Sequence, residues 1–113
     1  MPRRFATSTD MQSPFGPGIT LIDFSAKWCG PCKVMEPVMA ALAQEYAGRV
    51  RVVEIDVDEE QLLAQQYNVR SMPTFVLVRD GAEVGRVVGS RPRAFIAGML
   101  DRALAGDHAI ASP

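Results

Sequence analysis

A chain of 113 residues is long enough to bury one core, and it reads as a single domain over residues 1–113. Hydrophobic residues at 48%, charged residues at 22% and a net charge of −1 describe a globular composition with no acidic or basic surplus, which argues against a nucleic-acid or anionic-membrane partner. No apolar run approaches the ~20 residues that a membrane-spanning helix needs.

Residues 1–18 read as an irregular N-terminal segment. Arg3 to Thr7 could form a short edge strand, and Ser8 or Thr9 could cap one helical turn through Asp10 and Met11. Pro14, Gly16, Pro17 and Gly18 forbid a longer helix. After Arg3-Arg4, where a signal needs an apolar stretch, come Thr7-Ser8-Thr9-Asp10 and then Gln12, Ser13, Pro14, Gly16 and Pro17, so no export signal is read and a cytoplasmic location is expected.

Ile19 to Ser25 is a strand with apolar residues on both faces, as in a central strand covered by helices on both sides, and Asp23 stands inside that run. From Cys32 to about Ala47, Met35, Val38, Met39, Leu42 and Tyr46 recur at helical spacing. Pro31 suits a first turn. Pro37 falls in the interior and predicts a kink near residues 33–37, and Gly48 suits a C-terminal cap.

Val50 to Val57 reads as a second central strand. Asp58-Glu59-Glu60 supplies acids at a helix start, with Leu62, Leu63 and Tyr67 as the buried face. Phe75 to Val78 is a third strand, Asp80-Gly81 a hairpin turn, and Val84 to Val88 the return strand, ended by Gly89. Arg91 or Pro92 opens a last helix with Phe95, Ile96, Met99, Leu100 and Leu104 on its face, and residues 106–113 read as a flexible tail. Parallel crossovers followed by an antiparallel hairpin predict an α/β fold: a mixed sheet of four to five strands with helices on both faces.

The chemistry is concentrated in Trp28-Cys29-Gly30-Pro31-Cys32-Lys33, which holds both cysteines and the only tryptophan. Two thiols spaced by two residues at a strand-to-helix junction point to a redox pair. The thiolate is the nucleophile, and at a pKa of about 8.5 only roughly 3% of a thiol is ionised at pH 7. A sulfur facing the unpaired amides at a helix N-terminus gains up to about 2 kcal/mol for its anion when partly buried. Cys29, at that terminus, is therefore expected to be exposed and to attack. Cys32, one turn inside, is expected to be less exposed and to resolve the mixed disulfide.

Other uses of the pair fit less well. A structural zinc wants four ligands, and two thiols with His108, which reads as a solvated tail residue, do not supply them. Covalent haem needs histidine after the second cysteine, where Lys33 stands. A structural staple closing so short a loop would restrain the unfolded chain little.

These residues resemble the thioredoxin family over roughly Leu21 to Leu104. The likeness rests on Asp23-Phe24, the Trp28–Lys33 motif, Pro37, Asp56-Val57-Asp58, Met72-Pro73-Thr74 and Gly89 at matching distances. The resemblance implies a thioredoxin fold with an abbreviated N-terminal strand and helix, and a protein disulfide reductase with a redox-active Cys29-Cys32 disulfide and a role in cell redox homeostasis and electron transport. It implies disulfide-containing clients and a thioredoxin reductase as partners. No cofactor or metal is expected, and the chain is expected to act as a monomer. The resemblance also implies a cis Met72-Pro73 bond beside the cysteines, although most X-Pro bonds are trans. Trp28, Gly30, Pro31, Met72, Pro73 and Gly89 would form the substrate surface, with Met72 offering its backbone to an extended client strand. For Trp28, plain core packing is the competing reading.

Burial raises a carboxylate's pKa, so Asp23 suits a group that takes the proton from Cys32, the role of the matching family aspartate; a carboxyl satisfied by local hydrogen bonds is the competing reading. Two positions depart from the family. Glu54 stands where many bacterial members carry a lysine near the buried aspartate, and Ser25 stands where an aromatic residue is usual. They leave open a thioredoxin-fold binding module, or a specialist reductase for one client, as alternatives.

Overall fold

The computed structural model describes residues 15–106. The expectations for Arg3 to Thr7, for the turn at Ser8 to Met11 and for the tail beyond Gly106 lie outside the described residues. Within them the order is β1 (Ile19–Ser25), α1 (Gly30–Glu45), β2 (Val50–Asp56), α2 (Gln61–Gln66), β3 (Thr74–Arg79), β4 (Ala82–Val88) and α3 (Arg93–Leu104).

The strands form one mixed sheet in the order β2-β1-β3-β4. β1 runs parallel to β2, with Asp23 opposite Glu54 and Ser25 opposite Asp56. It runs antiparallel to β3, with Phe24 opposite Thr74. The C-terminal end of β1, which feeds the cysteines, thus lies beside the N-terminal end of β3, which follows Met72-Pro73. That antiparallel step is what brings two stretches some forty residues apart to one edge of the molecule.

The apolar alternation of β1 and β3 feeds a core on each face, the consequence of side chains pointing to opposite sides at successive positions. Leu21, Phe75 and Leu77 pack with Met35, Met39 and Leu42 of α1 and with Ile96, Met99 and Leu100 of α3. Ile22, Phe24, Val76 and Val78 pack on the other face with Ile55 and with Leu63 of α2. Each such side chain, fully buried, contributes roughly 1.5–3 kcal/mol.

α1 runs unbroken through Pro37 and starts at Gly30, two residues earlier than its apolar spacing suggests. Asp80 and Gly81 take φ of 51° and 89°, the left-handed pair that a two-residue hairpin demands, so β4 returns directly along β3.

Three expectations are corrected. β2 is an edge strand among the described residues, not a central one: only Val50 and Ile55 are buried. Leu62 of α2 is exposed, and Leu63 and Ala64 carry the buried face, because a six-residue helix buries only one narrow stripe. Phe95 and Leu104 of α3 are also exposed, while the smaller Ala97 and Ala103 pack inward. Periodicity locates a face but not its margin, and the margin goes to the side chains that fit.

Candidate active site

β1 ends at Ser25, and the chain turns through Ala26, Lys27 and Trp28, closed by a hydrogen bond that the Cys29 amide donates to the Ala26 carbonyl at 3.1 Å. Cys29 is the N-cap of α1, with Gly30 and Pro31 as its first helical residues. The Cys32 amide donates to Cys29 Sγ at 3.1 Å, so that sulfur occupies the place where a helix start favours negative charge. The two cysteines are joined in a disulfide with Cα atoms 5.3 Å apart.

Both cysteines are buried, 4% exposed at Cys29 and 6% at Cys32. This corrects the expectation that Cys29 is the more exposed. The pair packs with Ala26, and Val57 and Met72 cover it. What separates the two sulfurs is therefore position on the helix, cap against first turn, rather than access.

Met72 is half-buried and Pro73 buried, and the bond between them is cis. The Gly89 amide donates to the Pro73 carbonyl at 2.8 Å, and Gly89 takes φ of 95°, a conformation that suits glycine. Gly30 and Pro31 are exposed. Trp28 is not core: it is 67% exposed, and its indole Nε1 donates to Asp58 Oδ2 at 2.9 Å. Asp58 was not singled out in the sequence as the partner of Trp28. Lys27 pairs with Glu59 at 3.1 Å and reaches Asp56 at 4.0 Å.

Asp23 is 6% exposed, and its Oδ1 has no hydrogen-bond partner among the described residues, so local hydrogen bonds do not satisfy that oxygen. Its pKa is pushed up from 3.8 to about 7, first by burial, then by repulsion from Glu54 and Glu36. It lines a cavity of about 270 Å³ with Glu36, Met39, Ala40, Val52 and Glu54. Cys32 lines a different one, about 160 Å³, with Ser25, Lys33, Glu36, Glu54 and Asp56 among its walls. Glu36 and Glu54 belong to both. Ser25 and Glu54 are bonded to each other: Ser25 Oγ donates to Glu54 Oε2 at 3.1 Å. No single position in the sequence signals that link. It follows from β1 and β2 being parallel neighbours.

Among the described residues, no cluster of histidine, cysteine or acidic side chains could hold a metal, and no helix is long and apolar enough to cross a membrane.

The thioredoxin family model matches residues 11–102. The thioredoxin of Staphylococcus aureus is 42% identical over 98 residues, covering 87% of this chain and 94% of its own length. Among solved structures, mitochondrial thioredoxin 3 of Saccharomyces cerevisiae in its oxidised form is 45% identical with a TM-score of 0.69, covering 75% of this chain and 79% of that one. A thioredoxin variant from Halobacterium salinarum is 42% identical with a TM-score of 0.70, covering 75% and 74%.

Proposed function

This chain belongs to the thioredoxin family and is a thiol–disulfide oxidoreductase that reduces protein disulfides by exchange; from that premise we propose how its residues divide the work. Cys29 attacks first. In the reduced protein its thiolate, favoured at the helix start, displaces one sulfur of a client disulfide as a thiolate and forms a mixed disulfide. Cys32 loses its proton, attacks Cys29 Sγ and displaces the second client sulfur. The client gains two electrons, and the enzyme is left as the Cys29–Cys32 disulfide. The electrons reside on the two sulfurs, so the step draws on no bound cofactor.

The observation that carries this reading is the disulfide at the cap of α1, packed against Met72. Met72, Pro73 and Gly89 form the wall along which an extended client segment adds its backbone, and Trp28, Gly30 and Pro31 form the exposed rim. Asp23 accepts the proton of Cys32. The electron donor is a thioredoxin reductase, the class of partner the family implies, and the setting is the redox balance of the cytoplasm. A single-domain monomer suffices for each step.

Insulin reduction followed by turbidity, with dithiothreitol as donor, tests the reading. The wild type accelerates precipitation and Cys29→Ser does not. Equal rates for the two would overturn it. Cys32→Ser should trap client proteins on Cys29 as mixed disulfides.

A further inference from the structure

Two acids, Glu36 on α1 and Glu54 on β2, lie between Asp23 and Cys32. Asp23 and Cys32 line separate cavities, and Glu36 and Glu54 are the side chains those cavities share. Each cavity is large enough for several waters at about 30 Å³ apiece. Asp23 is buried, with an oxygen that has no hydrogen-bond partner among the described residues, whereas Glu54 is exposed and reaches solvent. A buried acid that gives and takes a proton each cycle needs a route out. Between the two shared acids, the geometry favours Glu54. It sits opposite Asp23 in the β1–β2 register, and the buried Ser25, itself on the wall of the Cys32 cavity, holds one of its oxygens at 3.1 Å.

We propose that Glu54, clamped by Ser25, is the shuttle through which Asp23 exchanges protons with Cys32 and with solvent. This rests on the roles given above to Asp23 and Cys32. As Cys32 attacks, its proton passes by way of Glu54 to Asp23. The S–S bond to Cys29 forms and the bond from Cys29 to the client breaks. The client sulfur leaves as a thiolate, and Asp23 later returns the proton through Glu54 to water. Glu54 ends each cycle unchanged: it relays the proton between Cys32 and Asp23 and forms no bond to sulfur. The charged and titratable groups around this path are Glu36, Cys32 and Lys33 on α1, Glu54 and Asp56 on β2, and Lys27 and Glu59 at the mouth of the Cys32 cavity.

The test is stopped-flow reaction of the full-length reduced protein with 5,5′-dithiobis(2-nitrobenzoate). The first thionitrobenzoate released reports Cys29 attack, and the second reports resolution by Cys32. Glu54→Gln keeps the size of the side chain and a group that Ser25 can bond, but it cannot carry a proton. The variant should leave the first phase unchanged and slow the second roughly tenfold at neutral pH, less than the roughly 10²–10⁴-fold that a general acid–base group supplies, because Glu54 relays the proton and Asp23 remains its acceptor. Raising the concentration of a small carboxylate buffer, whose base form can accept the Cys32 proton, should restore the second phase in Glu54→Gln and leave the wild type unaffected. Glu36→Gln should keep the wild-type second phase. A Glu54→Gln second phase at the wild-type rate from pH 6 to 9, or one that buffer does not restore, overturns the proposal. A wild type that releases no second equivalent defeats instead the assignment of Cys32 as the resolving thiol.

Discussion

Replacing Asp23 by Asn should stabilise the oxidised protein at neutral and alkaline pH, and the gain should vanish in acid. The native carboxyl titrates near 7 against 3.8 in its ordinary state, so between those values the folded protein binds more protons than the unfolded chain. Stability is therefore unimpaired below about 3.8, falls as pH rises through about 7, and stays at its reduced level above. At ~1.36 kcal/mol per pKa unit, the difference of about three units sets a ceiling of ~4 kcal/mol. Asn keeps the shape of the group and removes its charge. Urea unfolding of the oxidised wild type and Asp23→Asn at pH 3.5, 6 and 8.5 measures the effect. We expect less than ~0.5 kcal/mol of difference at pH 3.5 and ~2–4 kcal/mol in favour of Asn at pH 8.5. With m of about 1–3 kcal/mol/M in urea, that is a midpoint shift of roughly 1 M or more. A gain equal at all three pH values would refute the reasoning, since packing alone would then explain it. So would a loss at pH 8.5.

Three further substitutions probe the frame around the site. Tyr46→Phe removes the hydroxyl that donates to Asp101 Oδ1 at 2.7 Å between α1 and α3, and should cost roughly 1–2 kcal/mol in the same urea experiment. Gly89→Ala places a Cβ 3.4 Å from the Arg91 guanidinium on a backbone at φ 95°, and should cost about 1 kcal/mol while raising the KM for insulin more than it lowers kcat. Asp58→Asn weakens the acceptor of the Trp28 indole, an exposed contact, and should change stability by less than ~1 kcal/mol, measured by thermal unfolding.

The sheet was legible because β1 and β3 bury both faces and write that into their composition, and because Asp80-Gly81 permits only a tight return. Asp23 was legible for the converse reason: a carboxylate inside an apolar run has to be explained. The place of β2 was not legible, since an edge strand with buried ends and a central strand share an apolar character in one dimension. Local spacing put Cys29 at the helix start correctly, but the residues that cover it, Val57 and Met72, lie 28 and 43 residues away. The same limit hid the bonds from Ser25 to Glu54 and from Trp28 to Asp58, which span 29 and 30 residues. The cis bond at Met72-Pro73 was legible only through the resemblance, because local preference alone favours trans.

The single tryptophan also decides what light can report about this molecule. Trp28 neighbours the disulfide in sequence and is two-thirds exposed to water in the folded state, so unfolding changes its surroundings little. Its emission should respond to the oxidation state of the adjacent sulfurs while remaining a poor witness of global denaturation. Fluorescence is thus the natural readout for redox titration of this protein. Circular dichroism of the sheet and helices is the one to use for the unfolding curves above.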